Sequence, residues 1–280
     1  MPRIGFMQGR LSPLVDGKIQ AFPWQHWESE FEQASALGLT LLEWTLDHER
    51  LHENPLMTAR GRARIRALGD AHGVHVESIT GDCFMQAPFF KTSGAESQVL
   101  FEDLTAVIEA AGEIGASVIV FPLVDNGSVE SPAQEHELRS RLALVEPRLR
   151  DHGVRIAFES DFGPRALAEF IARFSPDVFG VNYDIGNSAA LGYDAREEIT
   201  SYGKRIAHVH VKDRRLHGTT VPLGEGAANF DAVFEGLREC EYDGDFILQT
   251  ARAQDDAHAQ VLKHYRDMVQ GWLETHGFGT

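Results

Sequence analysis

The sequence predicts an α/β fold, a single (β/α)8 barrel spanning residues 1–280. Three observations predict it. There are eight short apolar runs of strand character, helical patterns lie between them, and a glycine stands shortly before six of the runs. Barrels of this kind take roughly 250 residues as one domain. No Pro/Ser-rich linker or change of composition marks a second domain.

The eight runs are Arg3–Met7, Leu39–Thr45, Val74–Thr80, Ser117–Leu123, Val154–Glu159, Val178–Asp184, Arg205–Val211 and Asp245–Thr250. Most are almost continuously apolar, as suits parallel strands covered on both faces. Glu28–Leu37 follows the first with Phe31, Ala34 and Leu37 at helical spacing. Thr58–His72 carries Ile65 and Leu68 among arginines, and Arg60–Arg66 reads as its solvated face. Leu104–Ile114 and Glu135–Arg150 repeat apolar residues every three or four positions. Pro164–Phe174 opens on a proline suited to a first helical turn. Ala195–Tyr202, Phe230–Cys240 and Asp256–Leu273 complete the set. Gly38, Gly73, Gly115, Gly153, Gly203 and Gly244 stand where left-handed helix C-caps belong. A doubly wound open sheet is the alternative, but Gly5-Phe6-Met7-Gln8-Gly9 does not match its phosphate-binding fingerprint.

Composition narrows the function classes. Lys+Arg number 26 against 42 Asp+Glu, a formal charge of −16 that repels phosphate backbones and anionic lipid. Nucleic-acid and membrane partners are therefore not expected. The longest apolar run, Val118–Val124, is far short of the roughly 20 residues of a membrane span. The first residues lack the apolar core of a signal peptide. Cys83 and Cys240 cannot form a disulfide framework. A cytoplasmic location is the expectation.

In such barrels chemistry sits at the C-terminal strand ends. Those ends carry Gln8, then Glu43 and Thr45, then Glu77 and Asp82. The last four carry Glu159, Asp184, His210 with Lys212, and Gln249. Two carboxylates, an imidazole and an amide oxygen on adjacent strands are all potential ligands of one divalent ion. His208 shares the parity of His210 and is expected one layer below it, filling the core. Gln8, Glu43, Glu77, Arg215 and Arg252 are candidate substrate contacts, and Arg10, Arg214, Arg215 and Arg252 are candidates to hold a phosphate. The aromatic segments Phe22–Trp27 and Phe84–Phe90 read either as lids or as loops packed on the rim. Cys83 has no evident catalytic partner.

The chain resembles the xylose isomerase-like TIM barrel superfamily of sugar-phosphate isomerases and epimerases. The resemblance is carried by Ile4–Ser12, Phe158–Asp161, Asn182–Asn187, His208–Asp213 (His-x-His-x-Lys-Asp), Pro222–Gly226, and Tyr242–Gly244 running into Phe246–Thr250. It covers nearly the whole chain and does not single out a substrate. In ketose 3-epimerases of this superfamily a Glu, an Asp, a His and a second Glu hold one ion, and both Glu transfer protons. The resemblance implies Glu159, Asp184, His210 and Gln249 as ligands of one divalent ion, Mn2+ foremost, with Mg2+, Co2+ or Zn2+ as alternatives. It departs at Gln249, which can ligate but cannot shuttle a proton, and at Asn187, where the epimerases often have His. Members of the superfamily are often dimers or tetramers.

The chemistry implied is proton abstraction beside a carbonyl, with the ion stabilising an enediolate. Glu159 is the candidate base and Lys212 the candidate acid or carbonyl polariser. Glu43, Glu77 and Asp82 are second-line proton-transfer groups. The expected activity is a metal-dependent sugar or sugar-phosphate isomerase or epimerase. An inosose dehydratase-like lyase is the alternative, because the loss of the second Glu suits elimination. An apurinic endonuclease-like enzyme is opposed by the charge, and a non-catalytic sugar-binding barrel is kept open by Gln249.

Overall fold

The computed structural model describes residues 2–253 and 255–279. Eight parallel strands close into a barrel: β1 (Ile4–Met7), β2 (Leu41–Thr45), β3 (His75–Thr80), β4 (Val118–Leu123), β5 (Arg155–Ser160), β6 (Phe179–Asp184), β7 (Ile206–Val211) and, as eighth barrel strand, β10 (Phe246–Leu248). Closure is direct, since Phe6 of β1 is in register with Leu42 of β2 on one side and Leu248 of β10 on the other. Between β7 and β10 a two-stranded hairpin, β8 (Asp213–Arg214) with β9 (Thr220–Val221), stands outside the barrel.

The outer layer is α1 (Ser29–Ala36), α2 (Ala59–His72), α4 (Gly94–Ile114), α5 (Pro132–His152), α6 (Pro164–Ile171), α8 (Ala195–Tyr202), α9 (Phe230–Glu239) and α10 (His258–Thr275). Two short helices, α3 (Asp82–Gln86) and α7 (Ile185–Leu191), sit on the strand ends. Among the described residues no helix is long and apolar enough to cross a membrane. Between strands and helices lies a chain of rings. Phe158 packs on Phe121, Phe170, Phe174 and Phe179, with centroids 5.0–6.0 Å apart. A fully buried side chain of this size contributes about 1.5–3 kcal/mol, so these rings fix how the helices seat on β4–β6.

All eight expected strands are present. The third-strand helix starts ten residues before the expected Leu104, because Ser97, Leu100 and Phe101 already face the core. Gly38, Gly73, Gly115 and Gly153 have the left-handed φ (66–94°) expected of helix ends. Gly203 does not: its φ is −53° and it opens a 3-10 turn. Gly244 is not left-handed either; a Cβ there would lie 2.4 Å from Tyr242 Oη, so the glycine makes room for that ring.

The aromatic segments pack rather than cover. Phe84 stacks on Phe121 (4.8 Å), Phe89 and Phe90 are buried, and Phe22 lies against Trp44. The Leu-Gly-x-Gly segment is wrapped around Asp213, which is fully buried. Its carboxylate accepts from the backbone N–H of Gly224 (2.9 Å), Gly226 (2.9 Å) and Ala228 (3.2 Å). A side chain at Gly226 would overlap that carboxylate, with a Cβ 2.0 Å from Oδ1.

Candidate metal and proton-transfer site

Strand alternation places every second side chain inside the barrel. On β7 those are His208 and His210, on β6 Asn182 and Asp184, and on β3 Ser78 and Thr80, and together they build two layers. In the lower layer Glu43 of β2, with no exposure, accepts from Ser78 Oγ (2.6 Å) and Thr80 Oγ1 and pairs with His208 Nε2 and His210 Nε2 (2.7 Å). Burial opposes ionisation of Glu43, but the His210 and His208 charges and hydrogen bonds hold its carboxyl well below the usual range. His208 therefore points inward below His210, as expected. Glu43 does not reach the substrate space, because every donor around it has closed over it.

The upper layer opens on a cleft of about 470 Å3 at the strand ends. Glu159, Asp184 and His210 bring one ligand atom each within 4.8 Å of one another. His210 turns Nδ1 toward Glu159 Oε2 (3.3 Å), because Nε2 is held by Glu43. Asn182 Nδ2 donates to Glu159 Oε2 (2.8 Å) and sits 3.0 Å from His210 Nδ1; Asn187 Nδ2 donates to Glu159 Oε1 (2.7 Å). Arg214 Nη1 in turn donates to Asn187 Oδ1 (2.8 Å), orienting that amide. Asp184 Oδ1 caps α7 by accepting from Asn187 N (2.8 Å), while Oδ2 accepts from Lys212 Nζ (3.2 Å). Lys212 Nζ also donates to Gln249 Oε1 (3.1 Å). Gln249 is placed by β10, whose ladder continues through Gln249 N to Val211 O (3.1 Å).

The charges follow from this packing. Burial disfavours the anion at Glu159, but the hydrogen bond and charge of His210, then Lys212 and Asn182, hold it below the ordinary value. Asp184 is raised by burial and the nearby Glu159 charge, against the pull of Lys212. Burial lowers His210, but Glu43 and Glu159 outweigh it and raise it to about 10. Two carboxylate oxygens and an imidazole nitrogen within 4.8 Å of one another fit a divalent ion, and Lys212 brings Gln249 Oε1 to the Asp184 side of that cluster. The Nε2-bound carboxylate beneath is the arrangement that fixes a ligating imidazole. Lys212 stands on the Asp184 side and must swing aside for an ion to enter.

Several sequence expectations are corrected. Glu77 lies in the N-terminal half of β3, before the register of that strand against β2 resumes at Ser78. Its carboxylate takes two hydrogen bonds from Arg3 (2.7 and 2.8 Å), at the opposite end of the barrel. Arg215 is exposed; alternation in the hairpin sends Arg214 to the cleft instead. Arg252 donates to the carbonyls of Ser12 and Ile19, and Arg10 to those of Thr250 (2.9 Å) and Ile19 (3.0 Å). Both guanidiniums pin the loop after β1 rather than line the cleft. Gln8 is fully buried, its Oε1 accepting from Thr45 N (3.0 Å). Asn182 and Gln20 were not anticipated as site residues, and Asn187 only as a departure from the epimerase pattern. The parity of Asn182 with Asp184 was the available signal; Gln20 had none, since only the folded loop brings it over β10.

A family model described as "Xylose isomerase-like TIM barrel" matches residues 31–270. "L-ribulose-5-phosphate 3-epimerase UlaE" of Escherichia coli O1:K1 / APEC is 25% identical over 262 residues, 90% of this chain and 91% of that protein. "Uncharacterized protein MJ1311" of Methanocaldococcus jannaschii is 28% identical over 142 residues, 46% of this chain. That match spans about half (48%) of MJ1311. Among solved structures, a xylose isomerase domain protein from Planctomyces limnophilus superposes with a TM-score of 0.75 at 17% identity, covering 98% of both chains. With the barrel, the cluster of potential ligands and a family match over most of its length, this chain belongs to the xylose isomerase-like TIM barrel family.

Proposed function

We propose that the protein is a divalent-metal-dependent sugar or sugar-phosphate epimerase or isomerase that removes a proton beside a carbonyl. The observation that carries this reading is the convergence of Glu159, which lines the cleft, with the buried Asp184 and His210. Glu159, Asp184, His210 and Gln249 would hold the ion. The ion supplies Lewis-acid stabilisation of negative charge developing on the substrate oxygen. Glu159 is held ionised and is the base. Asn182 and Asn187 fix both of its oxygens, which orients the carboxylate before substrate arrives. Lys212, displaced from the ligand gap, offers its ammonium to the substrate carbonyl.

The full chain loaded with Mn2+ is to be tested on L-ribulose 5-phosphate, L-ribulose and an inosose, followed by NMR. Epimer formation that depends on the ion and disappears in Glu159→Gln supports the reading. Absence of Mn2+ uptake, or turnover indifferent to Glu159, removes it. The amide at Gln249 favours a dehydratase as second reading, since β-elimination needs no proton delivered to a second face. Loss of water from the inosose without exchange in either ketose would select it.

A further inference from the structure

The position that would carry a second proton-transfer carboxylate at the end of β10 is an amide, yet that amide is built into a chain whose far end is a carboxylic acid. The chain's polarity is fixed from one end. Lys212 Nζ can only donate, so the atom of Gln249 it meets at 3.1 Å is the oxygen. Gln249 Nε2 then donates to Gln20 Oε1 (3.0 Å), and Gln20 Nε2 must donate onward, to Asp82 Oδ2 (2.6 Å). Arg10 Nη2 donates to the same Gln20 oxygen (3.4 Å), locking that orientation. Asp82 is 8% exposed and lines the cleft that Glu159 lines. Its Oδ1 accepts no hydrogen bond from the described residues. Glu159 is supported from the β6–β7 side, by Asn182, Asn187 and His210, whereas Asp82 is supported from the side of β1 and β10. Glu159 lies at the end of β5 and Asp82 just beyond β3, so the two carboxyl groups stand on either side of β4 and line the same cleft.

We infer that Asp82 is the second catalytic acid of this site, delivering a proton to the substrate carbon from the β3 side of the cleft, with Gln20 and Gln249 as its positioning residues. The inference rests on the proposed function and narrows it to epimerisation. Other groups on the cleft are poorer candidates. Asp125 is exposed in a turn, Asp161 accepts from Ser128 Oγ and follows β5, the strand that carries Glu159, and Lys212 serves the substrate carbonyl. In the ion-free protein burial, against the Gln20 hydrogen bond and with the Asp47 and Glu159 charges, pushes Asp82 up to about 7.

The step balances. The Glu159 carboxylate takes the proton of the C–H bond, and the bonding pair moves into the enolate. The enolate carbon takes the proton of the Asp82 carboxyl on its other face, and the pair on oxygen returns to the carbonyl. The carbon is inverted, Glu159 ends protonated and Asp82 ends as a carboxylate. Exchange with solvent restores both.

The test uses the Mn2+-loaded full chain in D2O with L-ribulose 5-phosphate and with L-ribulose, reading deuterium entry beside the carbonyl and epimer formation separately. Wild type shows both and Glu159→Gln neither. Asp82→Asn keeps an oxygen for Gln20 and leaves Glu159 free to remove a proton and return a deuteron to the same face. It should therefore retain exchange within about threefold while inversion falls about 100-fold or more. Gln20→Leu, which frees Asp82 from its donor, should lower inversion more than exchange. Inversion surviving in Asp82→Asn, or exchange and inversion lost together in a variant that still melts like wild type, overturns the role of Asp82. Absence of exchange with either ketose in wild type overturns the proposed function itself, and the role of Asp82 with it.

Discussion

His210 belongs to two carboxylate clusters, and they differ in one respect. Beneath it, Glu43 is enclosed by Ser78, Thr80, His208 and His210 and sees no solvent. Above it, Glu159 and Asp184 are held mainly by amides, a helix N-terminus and one mobile-stemmed ammonium, and Glu159 borders a cleft. A carboxylate saturated by four fixed donors can only position. One left with replaceable partners can bind an ion or accept a proton. One imidazole serves both, Nε2 for placement and Nδ1 for chemistry.

The largest effect expected from breaking this contrast is in the upper cluster. Glu159→Gln keeps an oxygen and loses the base, so turnover should fall about 1000-fold while metal content by elemental analysis stays near wild type. Equal loss of metal would show that Glu159 is chiefly a ligand. Next is the lower cluster. Glu43→Gln should weaken divalent-ion binding about 10–100-fold by releasing His210, measured by calorimetry. Unchanged affinity would mean that Glu43 only fills the core.

The shared imidazole gives a pH signature. In the ion-free protein His210 is raised to about 10 by Glu43 and Glu159 against burial, so its proton must leave for Nδ1 to ligate. Affinity should therefore rise with pH from 7, approaching about tenfold per unit, and level off near 10. Proton release measured in buffers of different ionisation enthalpy checks the sign. In the ion-free protein the same charge stabilises the fold fully below about 6.5, and that contribution is lost as pH rises toward 10.

Smaller effects lie outside both clusters. Gly226→Ala forces a methyl onto Asp213 and should cost about 1–3 kcal/mol in denaturant unfolding. Glu77→Gln should leave turnover and metal affinity within twofold, because its exposed pair with Arg3 is worth at most about 1 kcal/mol and lies at the other end of the barrel. A turnover defect there would place Glu77 back among the site residues.

The strands were legible because parallel barrel strands are apolar on both faces, and the ligand side chains because each ends such a run. Depth was harder to read. Parity brings Glu43 inward correctly, but only the pairing of Ser78, Thr80, His208 and His210 around it shows that it is sealed. Glu77 stands three residues before the end of β3 and pairs with Arg3 at the other end of the barrel, a height that its sequence run does not reveal. The amide chain was illegible because it joins residues 20, 82 and 249, and no local pattern encodes that meeting. Glu30 illustrates the same limit. Within a helix pattern it reads as solvated, yet it is fully buried, accepting from Gly9 N, Leu11 N and Ser12 Oγ to fold the loop that delivers Gln20.

Asp213 and the glycines folded around it form one of the most recognisable stretches of the sequence, and they touch no reacting atom. Their task is to hold the loop beyond β7 in shape, whatever lies in the cleft. A stretch of that kind is free to pass unaltered from ancestor to descendant while the residues at 82, 187 and 249 are exchanged. It shapes the wall of the barrel mouth and leaves the reaction to the side chains that face into it.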